Sequence, residues 1–237
     1  MRIAKYIAHA GYCSRRQAEE LIFQKKVMIN GYICISPATN VSESDVIQVD
    51  YKEINIQNEI RLWKFHKPPG IITTTKDPKN RKTVFDLIPQ NLPRLMTIGR
   101  LDRKSEGLIL LTNNGEFSRY FELPSNKIIR IYRVRVKGTV QENQLNVLRK
   151  GIKINGVKYA PMKVKLISSN ISSTWLEMEL IEGKNREIRK ICFELGWDVH
   201  RLIRTNYGEF SLGRLEKGKI EDLSNNKYFK KIKKLIK

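Results

Sequence analysis

The sequence predicts an α+β chain: a small module of two helices and a hairpin sheet, followed by a larger, sheet-rich domain. Three observations predict it. Helix signals crowd into the first 25 residues, alternating strand patterns dominate after residue 60, and the charge balance shifts between the two parts. Residues 1–50 hold six Lys/Arg against five Asp/Glu, leaving 39 against 19 in residues 51–237. The full chain carries 45 Lys/Arg and 24 Asp/Glu, a formal +21. Such an excess favours a polyanionic partner, because each phosphate contact releases condensed counterions. A biased base composition, visible in the abundance of Lys, Ile and Asn, is the competing explanation of the lysine count. Hydrophobic residues make up 41%, enough for a packed core and too many for a disordered chain.

The opening elements follow from spacing. Ile3, Ile7 and Ala10 form a helical stripe that ends at Gly11, a natural stop. Ser14 and Gln17 form a capping-box pair, and Ala18, Leu21 and Ile22 give the second helix its apolar face. Val27-Met28-Ile29 and Tyr32-Ile33-Cys34-Ile35 flank Asn30-Gly31, the strongest short signal for a hairpin. Arg15 and Arg16 lie in the first turn of the second helix, where the dipole disfavours cations. A ligand phosphate accounts for them more readily than stability does; ordinary surface charge is the alternative. The polar stretch within residues 51–60 reads as a linker.

This start resembles the S4 RNA-binding domain, whose pattern runs helix, Gly-x-x-Ser-Arg-Arg helix, Val-x-Val-Asn-Gly hairpin. Here it reads Gly11-Tyr12-Cys13-Ser14-Arg15-Arg16 and Val27-Met28-Ile29-Asn30-Gly31, over about the first 50 residues. One departure is Lys25, where the family carries glycine two residues before the hairpin valine. A left-handed cap costs lysine more than glycine, so a different turn is expected there.

Beyond the linker, Arg61 to Phe65 reads as a strand that cannot continue through Lys67-Pro68-Pro69-Gly70. Tyr132 to Val136 and Leu176 to Leu180 alternate apolar with charged residues, as half-buried strands do. Glu187 to Leu195 reads as a helix, with Ile188, Ile191, Cys192 and Leu195 on one face and Gly196 ending it. Residues 224–237 carry six lysines and no acid and read as a frayed or helical basic tail, a solvated surface first and an RNA contact second. Residues 61–223 are then the second domain.

Several classes of function find no support. No run of about 18 apolar residues exists, so no membrane span is expected. The N-terminus lacks a signal peptide's uninterrupted apolar core, so a soluble cytoplasmic protein is expected. Cys13, Cys34 and Cys192, like His9, His66 and His200, are scattered, with no disulfide or metal-ligand spacing. No P-loop or dinucleotide fingerprint occurs.

The most unusual segment is Gly99-Arg100-Leu101-Asp102-Arg103-Lys104-Ser105-Glu106-Gly107, followed by Leu-Ile-Leu-Leu-Thr-Asn-Asn-Gly-Glu. One aspartate sits among three cations in a loop ahead of a strongly apolar strand, a common way to hold a functional group. An aspartate that caps a turn and pairs with Arg100 or Arg103 fits the spacing equally well. The segment resembles the signature of the RsuA/RluB family of ribosomal-RNA pseudouridine synthases, Gly-Arg-Leu-Asp-x-x-Ser/Thr-x-Gly-Leu-Leu-Leu-x-Thr-Asn-Asp/Asn-Gly. Lys67 to Gly70, Asp77-Pro78 through Arg81-Lys82-Thr83-Val84, Arg130-Ile131-Tyr132 and Glu182-Gly183-Lys184-Asn185-Arg186-Glu187-Ile188-Arg189-Lys190 resemble further family motifs. With the S4-like start, the resemblance spans nearly the whole chain. The run 77–86 and Arg201 to Arg204 with Tyr207-Gly208 look more like the large-subunit enzymes.

The resemblance implies a mixed, mainly antiparallel sheet with a central cleft, behind a flexibly attached S4 module. It implies that Asp102 is the catalytic carboxylate, Tyr132 the ring that stacks on the target base, and Arg189 the arginine that pairs with Asp102. Arg100 or Arg103 is the candidate to fill the gap left by a flipped uridine, and Lys184 and Arg186 join Arg15 and Arg16 as RNA contacts. The reaction breaks a C–N glycosidic bond, rotates the uracil and makes a C–C bond to the same sugar, so no cofactor is required. The carboxylate must be ionised, which a paired arginine favours. The expected partner is structured, pre-ribosomal RNA, and a monomer is expected. An S4-type assembly factor with an inactive catalytic domain and an RNA methyltransferase are the competing readings. Asp102, Tyr132 and Arg189 together weigh against the first, and the missing glycine-rich loop against the second.

Overall fold

The structure, a computed structural model, describes residues 1–56 and 59–236. Gln57 and Asn58 of the expected linker and Lys237 of the expected tail lie outside the described residues.

The first module contains α1 (Ile3–His9) and α2 (Arg15–Phe23) packed against four short strands. These are β1 (Val27–Ile29), β2 (Tyr32–Ile33), β3 (Ile47–Val49) and β4 (Lys52–Glu53), in the order β2-β1-β3-β4. Ser14 and Gln17 make the capping box in both directions. Asn30 and Gly31 both take positive φ, 52° and 84°, as a two-residue hairpin turn matched to strand twist requires. Lys25 keeps the left-handed turn, at φ 59°, so the expected change of turn does not occur. Ile3, Ile7, Ile22, Val27, Ile47 and Val49 form the core.

The second domain begins with β5 (Leu62–Lys67), β6 (Met96–Ile98), β7 (Glu106–Thr112) and α3 (Gly115–Glu122). It continues with β8 (Arg130–Lys137), α4 (Asn146–Lys150), β9 (Ile152–Ile154), β10 (Val157–Tyr159), β11 (Lys163–Ser169) and β12 (Ser173–Leu180). Then come α5 (Glu187–Glu194), β13 (Val199–Tyr207), β14 (Phe210–Ser211), β15 (Ile220–Asp222) and α6 (Lys227–Leu235). Nine strands form one sheet, ordered β11-β12-β8-β13-β7-β5-β15, with β14 beside β13 and β6 beside β7. Its ladders are antiparallel except β13 on β7, which is parallel and pairs Ile203 with Glu106 and Arg204 with Gly107. The mixed α+β class agrees with the sequence reading.

That parallel step explains Gly107. A Cβ there would stand 2.3 Å from the Arg204 carbonyl oxygen, and φ is +110°. Only glycine lets β7 and β13 approach this closely where the Asp102 loop ends.

The sheet separates distinct cores. Val134, Leu148, Leu176, Met178, Ile191 and Cys192 pack on the side of α4 and α5. Leu108, Leu110, Phe117, Phe121, Tyr207 and Phe229 pack under α3 and α6. Trp63, Phe65, Val84, Leu101, Ile109 and Leu111 form a third core on the opposite face of β5 and β7. The tail takes the helical form that the sequence allowed, but the expectation of a solvated surface is corrected: α6 buries Phe229 and Ile232 on the domain and is capped by Asn226, while most of its lysines and Leu235 face water. The two modules touch through Lys5 Nζ to Glu116 Oε1 at 2.5 Å and through His9 Nε2 and Asn114 Nδ2 at 3.1 Å.

Candidate active site

The Asp102 loop is held from several directions before its strand begins. Thr73 Oγ1 donates to the Leu101 carbonyl at 2.9 Å and accepts from the Leu101 amide at 3.3 Å. The Gly70 amide donates to the Arg103 carbonyl at 2.7 Å, and the Gly99 amide donates to Glu122 Oε1, also at 2.7 Å. The Ser105 amide closes the turn onto the Asp102 carbonyl at 3.0 Å. Beneath it lies Lys67, fully buried, whose ammonium donates to the carbonyls of Ser105 at 2.8 Å and Pro68 at 3.1 Å. Burial pushes the Lys67 pKa down to about 8, while the charges of Asp102 and Glu106 pull it up. Lys67, Thr73 and Glu122 escaped the sequence reading as functional residues. Lys67 alone left a signal, a lysine ending a strand of alternating apolar residues.

Asp102 is about one-third exposed and opens into a cleft of 630 Å³, within the range of small-ligand sites. Tyr132, Arg186, Lys184 and Arg204 line the same cleft. Tyr132 is half-buried on β8, where the register places it beside Arg204 of β13. A register shift between Arg204 and Asn206 then lets Tyr207, three residues on, face Arg130, two residues back from Tyr132. Arg130 and Arg204 each lie over the Tyr207 ring, at 4.7 and 4.8 Å from its centroid.

The pairing of Asp102 with Arg189 is corrected by the structure. The guanidinium within ion-pair distance is that of Arg186, with Nη1 3.5 Å from Asp102 Oδ2. Arg186 precedes α5 in a left-handed conformation, φ 52°, and its side chain lies exposed at the cleft. Arg189, inside the first turn of α5, runs beneath the loop and donates to the carbonyls of Lys104 at 3.1 Å and Val199 at 3.3 Å. Burial and the neighbouring Arg186 push its pKa down, against the pull of Asp102.

The remaining predicted residues divide. Lys184 meets Glu182 in an ion pair, donates to the Lys158 carbonyl at 2.7 Å and lies over the Tyr159 ring. Arg103 is tied down through Nε to the Gly70 carbonyl at 3.3 Å, whereas Arg100 is exposed at the cleft and, among the described residues, makes no ion pair. Arg15 and Arg16 are exposed on α2 and do not line this cleft. Arg16 lines a second groove with Lys76 and Arg94.

One wall of the cleft carries an acid pair. Glu182 Oε1 accepts from the Ala160 amide at 2.7 Å, and Glu187 Oε2 accepts from the Lys184 amide at 3.1 Å. Burial and the adjoining Glu182 push the Glu187 pKa up to about 7.

Comparison with known proteins follows the same division of the chain. Residues 61–194 match the family model described as RNA pseudouridylate synthase, and residues 1–47 match the S4 domain. An uncharacterized RNA pseudouridine synthase of Rickettsia felis is 47% identical over 224 residues, covering 94% of this chain and 97% of the relative. The ribosomal large subunit pseudouridine synthase B of Bacillus subtilis is 36% identical, covering 94% of this chain and 92% of its own. A crystal structure of a pseudouridylate synthase superposes with a TM-score of 0.69 at 27% identity, covering 95% of this chain and 96% of the other.

Proposed function

The chain belongs to the RNA pseudouridylate synthase family, and from that premise we propose that it isomerises uridine in large-subunit ribosomal RNA with Asp102 as the catalytic carboxylate. A single aspartate on a loop braced from several sides, opening beside a half-buried tyrosine in one cleft, supports this reading. The reaction breaks the C1′–N1 bond and forms a C1′–C5 bond. One proton leaves C5 and one arrives at N1, so atoms and charge balance without a co-reactant. An ionised carboxylate is the group that adds to the sugar or takes a proton from it. Arg186 faces that charge, and Arg189 holds the loop main chain in place.

The target base leaves its stack to reach the cleft, and Tyr132 supplies the surface on which it lies, worth about 1–3 kcal/mol. Arg100, exposed at the rim, fills the vacated stack in place of the tethered Arg103. The S4 module, through Arg15 and Arg16, grips the RNA backbone away from the cleft.

Replacement of Asp102 by Asn tests the reading, because Asn keeps the size and one acceptor oxygen and removes the charge. Pseudouridine formation on transcribed ribosomal RNA should fall below detection while RNA affinity changes little. An aspartate that only caps the turn predicts a folded and fully active Asp102→Asn protein, since Asn is a good turn residue. Substantial activity in that variant would falsify the assignment.

A further inference from the structure

Arg204 is a buried cation whose charge no carboxylate balances among the described residues. It is 2% exposed in the middle of the sheet. Its Nε donates to the Leu108 carbonyl at 2.8 Å, and its guanidinium lies over the Tyr207 ring. Its Nη2 is buried and, among the described residues, has no hydrogen-bond partner. Glu106 shows the contrast: it is equally buried, yet Arg201 and Lys217 both reach it. Taking a guanidinium out of water without a counter-charge costs several kcal/mol, and an apolar side chain at the same place would avoid that cost.

The position of Arg204 indicates what its charge meets. The strand register seats it beside Tyr132, and both side chains line the cleft into which Asp102 opens. If the glycosidic bond breaks with its electron pair on the base, the detached uracil carries a negative charge spread over N1, O2 and O4. That anion lies on Tyr132 while it rotates. A fixed positive charge in a water-poor site acts strongly on a charge that develops only during reaction.

We propose that Arg204 supplies the positive potential that holds the detached uracil anion over Tyr132 between cleavage and re-attachment. This rests on the pseudouridine synthase reading and adds to it an electrostatic group that acts on the leaving base rather than on the sugar. A purely structural Arg204, a strut between Tyr207 and Leu108, affects every substrate alike.

The choice of leaving base separates the two roles. 5-Fluorouracil is more acidic than uracil and bears its charge more easily, so it depends less on an outside cation. Single-turnover cleavage of the N-glycosidic bond is measured at saturating RNA with uridine or 5-fluorouridine at the target position. The wild type, Arg204→Met and Arg204→Lys are compared, with thermal unfolding as the check on folding. Arg204→Met lowers the uridine rate about a hundredfold or more, the scale of losing one preorganised donor. The loss with 5-fluorouridine is at least tenfold smaller, and Arg204→Lys falls between wild type and Met on uridine. Equal losses on both bases, or no loss, overturn the proposal. If Arg204→Met does not fold, the same base-dependent ratio in Arg204→Lys decides, and an equal drop on both bases overturns it there. An inactive wild type sinks the underlying reading, whereas an active wild type with base-independent losses sinks the role of Arg204 alone.

Discussion

Replacing Lys67 by Met separates what stabilises this fold from what positions the loop that carries Asp102. The ammonium is fully buried, and burial lowers its pKa from the usual 10.5 to about 8. The charged form is therefore held in the fold against roughly 3 kcal/mol. Because the folded value lies below the unfolded one, the unfolded chain binds more protons between about pH 8 and 10.5. Stability contributed at this site accordingly rises with pH across that window. Met removes the desolvation cost but leaves the Ser105 and Pro68 carbonyls without their donor, at about 1–3 kcal/mol for a buried group. The two effects are of similar size, so the net change stays within about 2 kcal/mol, or a Tm shift under roughly 8 °C for a chain of this length. Activity has no such cancellation, because nothing replaces the hold on the loop that carries Asp102. A displacement near 1 Å costs about a hundredfold in a positioned site. The turnover rate at saturating RNA should fall about 10- to 100-fold with RNA affinity unchanged. Thermal denaturation and single-turnover pseudouridine formation on the same preparation check both halves. A rate within about twofold of wild type refutes the tether. A Tm loss well above 10 °C, beyond roughly 3 kcal/mol, refutes the cancellation.

Tyr132→Phe keeps the stacking surface and loses the hydroxyl, so it should bind RNA normally and lose most turnover, while Tyr132→Ala loses both. Full activity in the Phe variant, in the same assay, leaves the phenol without a chemical role. Changing Arg15 and Arg16 together to Ala should weaken RNA binding and reduce the slope of log affinity against log salt by roughly 0.9 for every phosphate no longer neutralised. An unchanged salt slope removes α2 from the docking surface. For Glu187, the folded pKa of about 7 lies above the usual 4.5, so the fold keeps a proton that the unfolded chain releases. That site's contribution falls as pH rises from 4.5 to about 7, and Glu187→Gln should abolish this part of the decline. Parallel Tm-versus-pH curves for the two proteins show that the acid pair has no such effect.

The sequence made the elements legible wherever local chemistry decides them. Ser14 with Gln17 announced a helix start, Asn30-Gly31 a hairpin, and the alternation around Tyr132 a strand packed on one face. Asp102 was legible as a residue, but what holds it was not. Glu122, Thr73 and Lys67 are separated by 23, 28 and 38 positions from the loop groups they bind, and reach them only after the sheet has formed. The Arg186–Asp102 pairing escaped for a similar reason: both arginines lie in one motif, and which of them faces the cleft depends on where α5 begins. The lysine-rich end was misread because charge dominated its composition, while Phe229 and Ile232, three residues apart, marked a buried face. Arg204 gave no sign of its burial, since strand register alone decides whether it points into the sheet or out to water.

Tyr132 is packed against two cores at once, that of α4 and α5 and that of β5 and β7. The halves of the domain meet nearby through a parallel step with only two register pairs. The seam runs past the cleft that Asp102 and Tyr132 line, and it is bridged by the Arg201–Glu106 ion pair and by the core that Leu108 and Tyr207 share. A base seated on Tyr132 would therefore touch both halves at once, and a nucleotide that fits would tighten the protein from within, as a keystone tightens an arch.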